Sequence, residues 1–334
     1  MRAVLEPLGR PLATDGVAGE RADDPLYGPC IKRVQQRRGR SGLLCVGDGK
    51  MAAHAPRAFI AWAGDYSLCP LPQAQRAAGE LEEALERVGS GAPGLRAVWR
   101  AQEQGEPKLI AQGDEHEVPM SVEAEGTRHA WTERRLVGRS VRHAEAAEGA
   151  LRARVAKAKA QVEALNRRGR GRTRCADIAT LRQAVTTIGQ RHPVAACLGL
   201  CDAHPTMTRP VRASQERPAY VQEEPHATVA VRVDAVALET AVRRLGWRVD
   251  STHQPAEQRS LAQAVVAYRS AYRVERRLGR LTGRPRSLRP MSGQRDDHAT
   301  GLMRVLSLAL RVWTLLECVV RRQWAAAGET VSGL

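Results

Sequence analysis

The stretch VGDGKMAAHAPRAFIAWAGDYSLCPLP, residues 46–72, decides the fold. It is entered through LLCV (43–46), a short apolar run that closes on Gly47-Asp48, as a buried strand with an acid at its carboxyl end does. A helix follows to about Trp62, and YSLCPL (66–71) is another strand. Upstream, RAVLEPLG (2–9) and RPLATDGVAG (10–19) read as two strands around a Pro-Leu-Gly turn. Asp23 and Asp24 precede Pro25, which suits a first helical position, so a helix is expected over 24–38. Residues 1–75 thus alternate strands and helices.

Farther out the pattern changes. A helix from Glu80 to Val88 leads into weak strands over 96–137, ending in HAWTERRLVGRS (129–140). A long Ala-rich helix is expected over 143–167, where Leu151, Val155, Ala158, Val162 and Leu165 step by four and three to make a narrow seam. It runs into the basic tract RRGRGRTR (167–174), read as a loop. Asp234 to Leu245 is a helix, WRV (247–249) a short strand, and Ser260 to Leu281 a long helix broken by RPRSLRP (284–290). The apolar stretch 302–320 carries Arg304, Arg311 and Glu317 along one stripe, too many charges for a membrane span. It is expected as a buried core helix with one wet edge.

The charge balance narrows the partners. Across 334 residues, 52 Lys and Arg stand against 36 Asp and Glu, a net charge of +16, which suits a polyanion. GC-rich coding alone enriches arginine, but it does not by itself produce so large an excess. Seven cysteines at 30, 45, 69, 175, 197, 201 and 318 form no disulfide framework, and MRAVLEPLG has no apolar core of signal-peptide length. A reduced cytoplasm is the expected compartment. Cys197, Cys201 and His204, with His192 nearby, have a loose metal spacing; buried free cysteine is the commoner meaning of CLGLC. Trp131 reads as core, with stacking on a base as the alternative.

Two long segments go beyond pattern. The first is 46–72, preceded by EPLGRPLATDGVAGERADDPLYGP (6–29). The second is LGWRVDSTHQPAEQRSLAQAVVAYRSAYRVERRLGRLTGRPRSLRP (245–290), followed by RDDHATGLMRVLSLALRVWTLLECVVRR (295–322). With WTERRLVGRS between them, they resemble the DDE transposases of the insertion-sequence-four group. The resemblance implies an α/β catalytic domain of RNase H-like (retroviral-integrase-like) fold with a mixed α+β insertion. The parts are 1–75, the insertion 76–235 and the helical part 236–325.

In that family three carboxylates hold two Mg²⁺ or Mn²⁺ ions for metal-dependent DNA cleavage and strand transfer. The resemblance assigns the second acid to Asp48 and the third to Glu275, both metal ligands, and their long separation to the insertion. The chain starts after the place of the first aspartate, so the catalytic domain is expected to be incomplete and this copy a defective remnant. The family's Tyr-Arg-Glu-Lys signature falls on Tyr268, Ala271, Glu275 and Thr282, keeping the tyrosine and the glutamate. Expected DNA contacts are Tyr268, Arg273, Arg276, Arg280 and Arg284, the tract residues Arg167, Arg168, Arg170, Arg172 and Arg174, and Lys50; solvated loops are the alternative for the arginine tracts. The implied partners are insertion-sequence ends and target DNA, with no membrane, and a homodimer is compatible. A non-catalytic DNA-binding regulator of the element and a translated fragment without function are the competing possibilities.

Overall fold

The computed structural model describes residues 2–5, 10–15, 24–89, 95–102, 105–124, 126–167, 178–203, 206–213, 217–225, 228–272, 276, 279 and 295–328. In chain order the elements are β1 (Arg2–Leu5), β2 (Pro11–Asp15), α1 (Tyr27–Arg38), β3 (Leu44–Val46), α2 (His54–Trp62), β4 (Tyr66–Pro70), α3 (Glu80–Gly89), β5 (Arg96–Arg100), β6 (Lys108–Ala124) and β7 (Thr127–Ser140). There follow α4 (Val141–Leu165), α5 (Ile178–Arg191), β8 (Leu198–Ala203), β9 (Thr206–Val211), β10 (Tyr220–Pro225), β11 (Thr228–Val233), α6 (Ala235–Arg243), β12 (Trp247–Thr252), α7 (Leu261–Arg269) and α8 (Asp296–Ala326). The chain is mixed α/β and divides into two compact units, Met1–Gly138 with Arg248–Leu334, and Arg139–Trp247.

The first unit is organised by a six-stranded sheet in the order β3-β4-β12-β7-β6-β5. β3 and β4 pair in parallel, with Val46 opposite Leu68, and β12 pairs antiparallel with β4, with Asp250 opposite Pro70. The boundary of this unit differs from the expected one. The strands within 96–137 group with the first unit and not with the second, and β6 and β7 lie side by side in the main sheet. The sequence hides this because β7 carries no clean alternation: Glu133, Arg134, Arg135, Leu136 and Val137 are all buried, since both faces of the strand are covered. β12 is likewise longer than WRV, because Asp250, Ser251 and Thr252 are buried polar residues with partners that a hydropathy pattern cannot register.

One face of the sheet is apolar. Leu68, Val98, Ala111 and Leu136 pack against Leu261, Ala264 and Val265 of α7. That helix starts with a capping box in which the Ser260 hydroxyl accepts from Gln263 N and the Gln263 side chain accepts from Ser260 N. The opposite face is ionic. Glu133 is fully buried, paired with Arg57 of α2, 3.2 Å from Arg135 Nη2, and accepts from Ser251 Oγ at 2.8 Å and Trp131 Nε1 at 3.0 Å. Trp131 also meets the His54 ring at 5.6 Å, so its indole is used within the fold. On the apolar face Arg134 pairs with Glu115 and donates to the carbonyls of Gln254 and Arg259, both at 2.8 Å.

Beside the sheet, β1 and β2 form a hairpin that pairs with no other strand among the described residues. Ala13 of the hairpin packs on Cys30 and Val34 of α1. α8 turns its mixed stripe, Ser307, Leu310, Thr314 and Glu317, inward, and Arg311 donates to Leu12 O at 3.2 Å. Val305, Leu308, Val312, Leu316 and Val319 are exposed, the reverse of the expected buried helix with a wet edge. Two of the charges on the other stripe have partners: Glu317 pairs with Arg321, and Arg311 with the hairpin carbonyl. No helix among the described residues is long and apolar enough to cross a membrane.

In the second unit Leu151, Val155, Ala158 and Val162 of α4 are buried as one seam. The seam packs on Val194, Cys197, Leu238 and Val242 at one end and on Leu181, Val229 and Val231 at the other. Asn166, just past α4, donates from Nδ2 to Val229 O (2.7 Å) and accepts from Val229 N (2.9 Å), acting as a strand neighbour for β11. Gly246 has φ 81°, and a Cβ there would lie 2.6 Å from Ala144, so only glycine fits between α6 and β12.

Two stability predictions follow from these contacts. Arg57→Ala leaves Glu133 buried with less compensation and is expected to cost about 3 kcal/mol or more in urea unfolding. A double change of Arg57→Met and Glu133→Gln should cost less than the summed single effects, and additivity would refute a coupled pair. His253 donates from Nε2 to Asp65 O (2.7 Å) and accepts at Nδ1 from Ser67 Oγ (3.0 Å), which holds the neutral tautomer. Burial sets its pKa below the usual histidine value. The unfolded chain therefore protonates first as pH falls, so this contribution is whole above about pH 6.5 and is lost below it. Tm should drop between pH 7 and pH 5, and His253→Asn should shrink that drop.

Candidate functional site

The chemistry-bearing residues gather where β3 ends. Gly47 N donates to Leu68 O at 3.0 Å, carrying the chain alongside β4, and Gly49 lies against Pro72. Asp48 between them is exposed, and its Oδ1 accepts from the Tyr27 hydroxyl (2.7 Å) and from Lys50 N (3.0 Å). The Asp-Gly-Lys order makes this turn locally, because an aspartate oxygen readily takes the amide two residues on. Lys50 is exposed, and its ammonium has no ion pair among the described residues. Asp65 is structural: it is 1% exposed and accepts from Leu43 N (2.9 Å) and Gln35 Nε2 (2.5 Å).

Tyr268 comes to the same place from α7. Burial raises its phenol above the usual value, Arg248 opposes that, and the carboxylates of Asp250 and Asp48 add to it. The Arg248 guanidinium lies 4.1 Å from the Tyr268 ring centre and donates from Nε (3.0 Å) and Nη2 (2.7 Å) to Asp250 Oδ2. Asp250 is only 3% exposed; burial raises its carboxyl, against the lowering effect of Arg248 and Arg269. Its other oxygen, Oδ1, meets no donor among the described residues. Arg269, also half-buried, is shifted down by burial and then by the charges of Arg248 and Arg100.

Tyr268 is thus joined through Arg248 to Asp250, which lies opposite Pro70 at the end of β4, beside the strand that leads to Asp48. Arg276 and Arg167 are exposed. Glu275, Arg273, Arg280, Arg284, Arg168, Arg170, Arg172 and Arg174 lie outside the described residues. The residues that the motifs miss are Asp250, Arg248, Arg269 and Arg100. The alternation of Arg248 with Asp250 on one strand is the signal that could have joined two of them; the others are brought in only by packing.

Two other chemistries find no support among the described residues. Burial pushes the Cys69 thiol up to about 12, far from a thiolate at neutral pH. Cys197 is buried among aliphatic residues in the second unit, and His204 lies outside the described residues. Among the described residues no three His, Cys, Asp or Glu side chains converge as metal ligands. Asp48, with one oxygen already engaged, does not fit a divalent ion by itself, and Asp250 is tied to Arg248. No family model, curated protein or solved structure matches the chain.

Proposed function

We propose that the chain is a DNA-binding protein of the insertion-sequence DDE transposase type, with an RNase H-like sheet at its centre, that holds DNA without cutting it. The observation that carries this is that the Asp48 turn and Asp250 flank the end of β4, with Arg248 joining Asp250 to the ring of Tyr268. Asp48 and Tyr268 are the residues that the resemblance singles out in its two separate segments. The parallel β3–β4 pair, with an acid past its carboxyl end and a helix over one face, supports the same assignment. The +16 charge supports a polyanionic partner. Two-metal cleavage needs acids that bridge ions about 4 Å apart. Of the two described acids near Tyr268, one is committed to an arginine.

Binding to a labelled duplex, followed by anisotropy, should weaken steeply as salt rises, by roughly 0.9 in the log–log slope for each phosphate neutralised. Changing Arg167, Arg168, Arg170, Arg172 and Arg174 together to alanine should flatten that slope. Affinity that does not move between low and moderate salt would refute DNA binding. Supercoiled plasmid incubated with Mg²⁺ or Mn²⁺ should stay intact. Metal-dependent nicking that disappears in Asp48→Asn would instead make the chain an active transposase.

A further inference from the structure

Between β5 and α7 runs a groove of about 410 Å³, lined by Trp99, Gln258, Arg259, Ala262, Val266 and Ala267. A register shift between Val98 and Trp99 breaks the alternation of β5, so both side chains serve the α7 side: Val98 in the core, Trp99 on the groove wall. Trp99 is 55% exposed, a large aromatic surface standing beside small floor residues. Arg100 follows it in sequence, and Arg269 lies one helical turn beyond Val266.

Arg269 is acted on by the like charges of Arg248 and Arg100 and by the opposite charge of Asp250. Asp250 is already joined to Arg248 by two hydrogen bonds. Arg100 and Arg269 make no hydrogen bond or ion pair with a carboxylate among the described residues. Like charges held together with one acid for three guanidinium groups call for an anion. An exposed indole beside them calls for a flat, stackable group. A polynucleotide with unpaired bases supplies both, because stacking on an aromatic is indifferent to base identity and arginines track the backbone.

We propose that this groove takes a single-stranded polynucleotide, with a base stacked on Trp99 and neighbouring phosphates on Arg100 and Arg269. Arg248, fixed by Asp250 and Tyr268, supplies the third positive charge. The inference rests on the DNA-binding function above and adds its strandedness and its contact residues, which are not the arginine tracts singled out in the sequence.

The test uses the full chain with a labelled 12-nucleotide oligothymidylate and a blunt duplex, read by anisotropy and by tryptophan fluorescence. Oligothymidylate should quench tryptophan emission, and Trp99→Ala should remove most of the quench and weaken binding roughly ten-fold. Arg100→Ala and Arg269→Ala should each lower the salt slope on the single strand by roughly 0.7. Circular dichroism melts of the three variants should match the parent, since none of these side chains is in the core. If the parent binds DNA but all three variants bind the oligothymidylate as it does, the groove is wrong and DNA binding stands. Duplex binding without oligothymidylate binding has the same meaning. Binding of neither refutes both. Inorganic phosphate that abolishes oligothymidylate binding, with Trp99→Ala unaffected, would mark an anion site only and overturn the stacking.

Discussion

The buried pair of Arg57 and Glu133 ties together parts of the chain that no local signal connects. Glu133 is on the strand that follows β6, Arg57 on the helix after Asp48, and Ser251 on the strand that returns from the second unit. A carboxylate with no exposure costs several kcal/mol to desolvate, so it is tolerable only where a guanidinium and neutral donors all reach it. That requirement fixes α2 against β7 and β12, and with it the order of the central strands. The order then decides which residues flank Pro70 at the end of β4, with the Asp48 turn on one side and Asp250 on the other.

The same competition between burial and pairing sets the character of the candidate site. At Asp250 burial outweighs an ion pair with Arg248, so the carboxyl is held above its usual range. At Arg269 burial and two neighbouring guanidinium groups act in the same direction, against one acid. Arg248 and Arg269 are thus held beside a buried carboxylate close to Tyr268.

Legibility followed the local character of each signal. The Gly-Asp after LLCV, the helix to Trp62 and the strand YSLCP are written in neighbouring residues and appear as β3, α2 and β4. The seam Leu151, Val155, Ala158 and Val162 is buried as its spacing implied, because helical periodicity needs no knowledge of the partner. β7 and the end of β12 were obscured because their buried residues are charged or polar, and a polar residue reads as exposed until its partner is known. α8 was reversed for the complementary reason: apolar residues read as buried, while Arg311 of the charged stripe donates to Leu12 O of the hairpin and Leu310 is the fully buried residue beside it.

By itself the sequence determined the elements near Asp48, the α4 seam and a net charge of +16, since all of these are properties of residue type and near-neighbour spacing. Only the tertiary structure decided that the strands after residue 96 join the same sheet as β3, that Trp131 is spent on Glu133 while Trp99 is open, and that Arg248 joins the buried Asp250 to Tyr268. Such facts depend on which residue lies across a sheet or over a helix, and distances between remote residues are set by the packing of the whole unit rather than by any stretch of chain.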